Sequence, residues 1–202
     1  MDTITVCNAA LARLGEARIL DLADDNAAGR ACSLNFPLAR DELLRSHRWN
    51  FATERADLVQ LSAAPTFGFT YAYQLPTDSL RVLTVNGVSA SGDPDSAWEI
   101  EGNTLLHDEA TVELIYIKRV TDLNLLDSLA IEALIVLLAS KLAPAIQGGS
   151  TSKAMELKEE FHKIIAPTAK RIDSNESRRP SENQMDAMLS GSRAVQARFS
   201  GA

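Results

Sequence analysis

The chain has few of the residues that metal sites and disulfide frameworks require. Its 202 residues include two cysteines, Cys7 and Cys32, and three histidines, His47, His107 and His162. No CxxC, HxH or HExxH spacing is present, so we expect no metal site and no disulfide framework. Each cysteine has helical surroundings, where a free cysteine behaves as a small hydrophobic residue. We therefore expect both thiols to be buried packing residues.

The sequence also lacks the motifs of common enzyme classes. No GxSxG elbow, P-loop or GxGxxG fingerprint supports an acyl-transfer or phosphate-binding site. Among several carboxylate pairs, Glu99 and Glu101 lie beside an aromatic residue, Trp98. A glycosidase needs two carboxylates across a cleft that carries exposed aromatic residues, so a glycan-degrading enzyme is the alternative that this pair leaves open. We expect no catalytic residue, no cofactor and no enzymatic activity.

Aromatic residues and positive charge are both scarce. Aromatic residues make up 5% of the chain, hydrophobic residues 46%, and the net charge is −7. These values predict a core built mainly from Ala, Leu, Ile and Val. Affinity for phosphates requires clustered Lys and Arg, so the charge argues against a general nucleic-acid binder. It is compatible with a surface that DNA passes without binding, because like charges repel.

No apolar run in the sequence is long enough to span a membrane. The longest, residues 133–140, is flanked by Glu132 and Lys141, whereas a bilayer requires about 20 apolar residues. We expect a core helix there and no membrane association. The opening residues 1–3 lack the basic character of a signal peptide, so we expect synthesis in a cytoplasm.

Helical periodicity occupies the first and last thirds of the chain. Apolar residues at three- and four-residue steps predict three buried faces: Ile4, Cys7, Leu11 and Leu14; Ala27, Ala31, Leu34, Leu38, Leu43 and Leu44; Leu157, Phe161, Ile164, Ile165 and Thr168. Pro37 should bend the second helix, with a break as the alternative. A further helix begins after Asp127, is apolar on nearly all sides, and should end at Pro144 and Gly148-Gly149. Such a helix belongs at the centre of a bundle or against a neighbouring subunit.

Strand periodicity occupies the middle third. Residues 80–85 are typical of a strand that enters a tight turn at Asn86-Gly87. Residues 98–106 predict a hairpin that turns at Gly102-Asn103, and residues 111–118 predict a strand with both faces partly covered. Together they predict a small antiparallel sheet.

The combined pattern predicts an α+β fold that is mainly α. Residues 1–66 and 120–176 form a discontinuous helical bundle, residues 67–119 an inserted β-domain, and residues 177–202 a C-terminal extension. Four arginines in that extension outnumber two acidic residues, giving residues 178–202 a charge of +2 and leaving −9 on the first 177. Because its apolar residues are sparse, the extension is either disordered or ordered by a partner.

Two aromatic segments, residues 45–52 and 71–82, lie where helical and strand patterning meet. They contain no arrangement of nucleophile, base or metal ligand. Acidic residues are interleaved with their arginines, so paired charges at a subunit contact explain them better than stacking on nucleic acid. We expect structural or subunit-contact roles for Arg45, His47, Trp49, Phe51, Tyr71, Tyr73 and Arg81.

These segments belong to an ordered series of blocks over residues 4–170. The blocks are Cys7-Asn8-Ala9-Ala10-Leu11, Arg40-Asp41-Glu42-Leu43-Leu44-Arg45, Trp49-Asn50-Phe51-Ala52, Tyr71-Ala72-Tyr73 with Leu75-Pro76, Trp98-Glu99-Ile100-Glu101-Gly102 and Val112-Glu113-Leu114-Ile115-Tyr116-Ile117. In this order they resemble the tail tubular protein A family, the head-to-tail adaptors of short-tailed bacteriophages. Arg48 departs from the pattern, since the family commonly has proline between the positions of His47 and Trp49.

The resemblance implies a structural virion protein of the tail or neck. It would form a dodecameric ring between the portal protein and a nozzle similar to tail tubular protein B, with genomic DNA passing through without sequence-specific binding. The apolar helix near residues 130–142 would supply a ring interface. The extension would contact the portal through Arg178, Arg179, Met185, Met188, Leu189, Arg193, Val195, Arg198 and Phe199.

A connector or head-completion protein of a long-tailed phage is the alternative within this class of protein, and a virion-associated glycan-degrading enzyme is the alternative outside it. For the adaptor, we expect truncation after Ile172 to leave the domain folded and to abolish portal docking.

Overall fold

The computed structural model describes residues 1–89, 98–146, 148–149 and 151–176. Within these residues the fold is α+β and mainly α, as predicted. The helices are α1 (Thr3–Arg13), α2 (Ala27–Arg45), α3 (Ser128–Ile146), α4 (Ser152–Glu160) and α5 (Ala166–Glu176). A π-helical turn at Phe161–Ile165 joins α4 to α5, and 3₁₀ turns lie at Asn50–Ala52 and Leu123–Leu125.

Helix α1 forms where its sequence predicts, although Ile4, expected in the core, is only partly buried. The Asp2 side chain accepts a hydrogen bond of 2.8 Å from the backbone N–H of Thr5, which satisfies one of the free donors at the helix start. Gly15 follows the helix end with φ +75°, a conformation that favours glycine. Val6, Cys7, Ala10 and Leu11 form its buried face.

Helix α2 passes through Pro37 without a break. Its buried face was predicted incorrectly at three positions, because Ala27 is exposed and Leu34 and Leu38 are 71% and 61% exposed. The residues that enter the core from this helix are Gly29, Ala31, Cys32, Phe36, Ala39, Leu43 and Leu44. Leu34 and Leu38 therefore lie on the outer side of the bundle.

Helix α3 is the centre of the bundle and is packed by α1, α2, α4 and α5. Its apolar residues are buried on all sides within one chain, so the prediction that this helix supplies a ring interface is wrong. Among the described residues it is the one helix long and apolar enough to cross a membrane, but most of it is buried in the bundle. The helix passes Pro144 and ends at Ile146, shortly before the predicted Gly148-Gly149.

The C-terminal helical run differs from the single helix expected there. Leu157 and Phe161 are buried as predicted, whereas Ile164 is 61% exposed, so its inward placement is wrong. The π-helical turn makes the difference, because its wider turn rotates the residues that follow away from the four-residue spacing. Ile165 remains partly buried against the core.

The strands form two antiparallel sheets where one was predicted. The first has the order β1-β7-β3-β4 and the second β2-β6-β5. Their strands are β1 (Thr53–Asp57), β2 (Tyr71–Gln74), β3 (Ser79–Val85), β4 (Val88–Ser89), β5 (Trp98–Glu101), β6 (Thr104–His107) and β7 (Glu113–Lys118). Both predicted hairpin turns are present, with Asn86 and Gly87 at φ 47° and 82° and Gly102 at φ 60°.

The sheets and helices stack as three layers, with the four-stranded sheet in the middle. One face of that sheet packs on the helices through Leu80, Leu83 and Ile117. The other face packs on the second sheet through Val82, Val85, Leu114 and Tyr116, against Tyr73, Leu75 and Leu105. Irregular register in β3 allows residues three apart to share a face. Strand β1 belongs to this middle layer although residues 1–66 were assigned to the helical bundle.

Candidate interaction surfaces

The first aromatic segment forms a corner where α2 ends. Trp49 is fully buried, and its indole N–H donates to the carbonyl oxygen of Leu43 at 2.8 Å. His47 meets the Trp49 ring edge-on with centroids 4.9 Å apart, and Phe51 stacks on it at 5.5 Å. These contacts fix the direction in which the chain leaves the bundle.

Asp173 near the end of α5 fastens this corner to the C-terminal helix. Its carboxylate is 4% exposed and accepts a hydrogen bond of 3.0 Å from the backbone N–H of Asn50. The Asn50 side chain donates in return to the Asp173 carbonyl oxygen at 2.7 Å. His47 Nε2 lies 3.2 Å from the second carboxylate oxygen, and Lys170 Nζ donates to Ser46 O at 3.0 Å. These contacts of Asp173 and Lys170 with Ser46, His47 and Asn50 form the Asp173 clasp. Sequence reasoning missed the clasp, which joins residues 123 positions apart.

The electrostatics of the clasp give a pH-dependent expectation. Burial lowers the pKa of His47 below its usual 6.5, and this outweighs the opposing attraction of the Asp173 carboxylate. The folded protein therefore binds this proton less tightly than the unfolded chain does. We expect the free energy of unfolding to fall as the pH falls through 6.5.

Urea denaturation at a series of pH values checks this expectation. The variant His47→Gln should lose less stability than the original protein between about pH 7 and about pH 5.5, because it lacks the titrating ring. A rise in stability of the original protein on acidification would contradict the lowered pKa.

Arg45 and Arg81 connect the same corner to the middle sheet. The Arg45 guanidinium donates to the carbonyl oxygen of Leu80, and Arg81 donates at 3.3 Å to the carbonyl oxygen of Arg45. The side chain of each arginine thus bonds to the backbone at or beside the other arginine, and this connects the end of α2 to β3. The predicted junction residues at positions 45–51 and 81 are brought together by the fold.

Tyr71 and Tyr73 lie elsewhere, on β2 in the outer sheet. The Tyr73 hydroxyl donates to Glu109 O at 2.5 Å, and its ring fills the core between the two sheets. Tyr116 faces the same core; burial and the neighbouring Asp78 raise its pKa to about 12. Tyr73 and Tyr116 therefore help to hold the two sheets together. Tyr71 and Tyr73 form no common site with the corner at the end of α2.

The charged residues interleaved with these segments find partners within their own chain. Asp41 pairs with Arg40 and Arg119, each at 2.9 Å. Glu42 pairs with Lys141 at 2.6 Å, and Glu54 pairs with Lys118. The prediction that these charges pair across a subunit contact is therefore wrong for Asp41, Glu42 and Glu54.

Two exposed apolar faces remain on the helices. Leu34 and Leu38 lie one turn apart and define the α2 outer face. Ile164 and Ile172, 61% and 40% exposed, define the C-terminal helical face, with Thr168 midway between them. A hollow of about 490 Å³ adjoins Leu34 and is lined by Leu22, Asp24, Asp25 and Arg30 among others. Because contiguous exposed apolar patches mark interaction sites, these two faces are the candidates for subunit contacts.

A third exposed apolar point lies on the loop between β1 and β2. Phe67 is 86% exposed and Val59 74%. The loop is nonetheless anchored, because Leu61 N–H donates to Ala72 O at 2.8 Å and Thr70 N–H to the Asp108 carboxylate at 2.8 Å. Phe67 is therefore an exposed side chain on a loop that hydrogen bonds hold in place.

Of the other residues considered for chemistry, His107 has a structural partner, whereas Glu99 and Glu101 are exposed. His107 is 4% exposed and its Nδ1 accepts a hydrogen bond of 2.9 Å from Glu109 N–H. Glu99 and Glu101 lie exposed on β5, an edge strand of the outer sheet. In the described part of the chain no cluster of three or more His, Cys, Asp or Glu side chains suits a metal ion.

The residues predicted to contact the portal (Arg178, Arg179, Met185, Met188, Leu189, Arg193, Val195, Arg198 and Phe199) lie outside the described residues. In comparisons with known proteins, no family model matches this chain and no curated protein matches it significantly.

Proposed function

We propose that the protein is a head-to-tail adaptor of a short-tailed bacteriophage virion. Copies of the chain assemble as a dodecameric ring between the portal protein and the tail nozzle, and genomic DNA passes through the ring. The ordered sequence blocks that resemble the tail tubular protein A family support this proposal.

The observation that carries the proposal is the pair of exposed apolar faces on separate helices. A ring is built by a heterologous contact, in which one surface of a subunit binds a different surface of the next. The α2 outer face, with Leu34 and Leu38, and the C-terminal helical face, with Ile164 and Ile172, provide two such surfaces. They belong to opposite ends of the sequence yet both pack around α3.

Charge supports the same assignment. The first 177 residues have a net charge of −9, and the C-terminal extension is positive. An acidic ring wall repels the phosphates of DNA and lets the genome pass. A basic extension of low apolar content suits a segment that becomes ordered against a partner.

Truncation separates the docking role of the extension from the stability of the domain. A chain that ends at Glu176 keeps the whole Asp173 clasp, so we expect it to fold with unchanged stability and to lose docking to portal rings. The originally expected cut after Ile172 is unsuitable, because it removes Asp173, which is buried and hydrogen-bonded to Asn50.

Co-sedimentation with purified portal rings and thermal unfolding measure the two effects. The full-length chain is the matched control for both. A chain ending at Glu176 that still saturates portal rings would show that the extension is not the portal anchor.

A further inference from the structure

A cavity of about 460 Å³ lies where the end of α2, strand β3 and the β5–β6 hairpin come together. Its size falls within the range of about 300–1,000 Å³ that ligand pockets usually have. Among the described residues that line it, Arg45 and Arg81 are the charged ones, and no acidic side chain joins them. The cavity is therefore a place of positive charge on a chain whose net charge is −7.

The two arginines keep most of their hydrogen-bond donors free. Arg45 donates to the carbonyl oxygen of Leu80, and Arg81 donates at 3.3 Å to the carbonyl oxygen of Arg45. A guanidinium group has several further N–H donors and always carries its charge. Within the described part of the chain, neither arginine forms an ion pair with a carboxylate. Both side chains are exposed, so an anion that enters the cavity finds these donors available.

The rest of the lining is largely apolar. Leu75, Leu80 and Val82 are buried residues that border the cavity, and Ile100 on β5 is 40% exposed. Trp98 also borders it, and its indole N–H is buried without a hydrogen-bond partner. A ligand that carries a carboxylate beside apolar groups matches both parts of this lining. Nucleic acid matches it less well, because its binding requires a series of phosphate contacts and an acidic chain repels it.

We propose that this cavity binds an acidic peptide segment of a partner protein. A glutamate or aspartate carboxylate of that segment accepts hydrogen bonds from Arg45 and Arg81, whose planar guanidinium groups bind carboxylates through two parallel bonds. An apolar residue of the same segment packs on Leu75 and Ile100. This site is independent of the proposed adaptor function and does not require a ring or a portal.

Indole N–H signals in NMR spectra of the isotope-labelled full-length chain test the site. The chain has two tryptophans, so Trp98→Phe identifies the Trp98 signal by removing it. The probe is a blocked peptide of alternating leucine and glutamate. We expect it to shift the Trp98 signal in a saturable manner and to leave the Trp49 signal in place, because the Trp49 N–H is bonded to Leu43 O. The same peptide with glutamine in place of glutamate should bind about tenfold more weakly or worse.

Matched variants show whether the arginines of the cavity are responsible. Arg81→Gln should weaken binding of the glutamate peptide about tenfold, and Arg81→Lys should restore part of the affinity. Arg18→Gln is the control, since Arg18 is an exposed arginine after α1 that does not line the cavity. It should leave the affinity unchanged. Circular dichroism checks that each variant is folded, and the comparison of the two peptides on the original protein requires no variant.

Four results would overturn the proposal. One is a Trp98 signal that does not move at peptide concentrations up to about 1 mM. Another is equal affinity for the glutamate and glutamine peptides, or an equal loss of affinity in Arg18→Gln and Arg81→Gln. Tighter binding of inorganic phosphate or of a single-stranded oligonucleotide would assign the cavity to phosphate groups instead. A Trp98 shift that depends on protein concentration without peptide would assign it to a second copy of this chain.

Discussion

Replacing Leu34 and Leu38 together with glutamate is expected to abolish ring assembly and to leave the subunit folded. Both side chains are more than half exposed, so the monomer loses no core contact. In a ring the same positions would bury two carboxylates without partners, which costs several kcal/mol per contact, of order 3–5 kcal/mol when a charge is left unpaired. Because every subunit repeats the contact, a modest loss per interface prevents closure.

Sedimentation in the presence of portal rings measures this assembly, and circular dichroism measures the fold. Leu125→Glu is the matched control, since Leu125 is a 53% exposed leucine in the 3₁₀ turn before α3, away from both helical faces. Rings of normal size and stability from the double variant would show that the α2 outer face is not an interface.

Replacing Asp173 with alanine is expected to destabilise the monomer by about 2–4 kcal/mol. The change removes a buried carboxylate that accepts from Asn50 N–H and faces His47. The Asn50 N–H then loses this acceptor, and the corner around Trp49 loses part of its attachment to α5. Urea denaturation followed by tryptophan fluorescence reports directly on this corner because Trp49 lies within it.

Two variants show whether the carboxylate itself is responsible. Asp173→Asn retains an acceptor oxygen for Asn50 and should lose less stability than the alanine variant. Asn175→Ala removes an exposed neighbour and should stay within about 0.5 kcal/mol of the original protein. A free energy of unfolding unchanged by Asp173→Ala would contradict the clasp.

The elements that were predicted correctly from the sequence are those in which only a few residue types fit the local backbone conformation. Asn86-Gly87 and Gly102-Asn103 predicted two-residue turns because few other residues adopt positive φ. Asp2 and Gly15 marked the ends of α1 through a side-chain cap and a left-handed residue. Such signals depend on neighbouring residues alone.

Buried faces were harder to assign where two apolar stripes compete. In α2, Leu34 and Leu38 have the same four-residue spacing as Cys32 and Phe36, so periodicity fits either face. Packing against α3 decides between them, and it selects the face with smaller residues and one phenylalanine. The leucines left outside became the strongest candidate for a subunit contact.

Long-range partners account for most of what sequence reasoning missed. Strand β1, with the sequence Thr-Glu-Arg-Ala-Asp, has little strand character of its own and forms because it pairs with β7. In the sequence, Asp173 is an ordinary polar residue near the end of a helix. Only the fold shows that it accepts a hydrogen bond from Asn50. Neither contact leaves a pattern in the local sequence.

The mass of the full-length chain, measured alone and mixed with purified portal protein, tests the adaptor proposal most directly. The proposal predicts a complex in which one ring of this chain binds each portal ring, and loss of that complex with the Leu34→Glu, Leu38→Glu double variant. A chain that stays monomeric and never binds the portal at any concentration tested would contradict it.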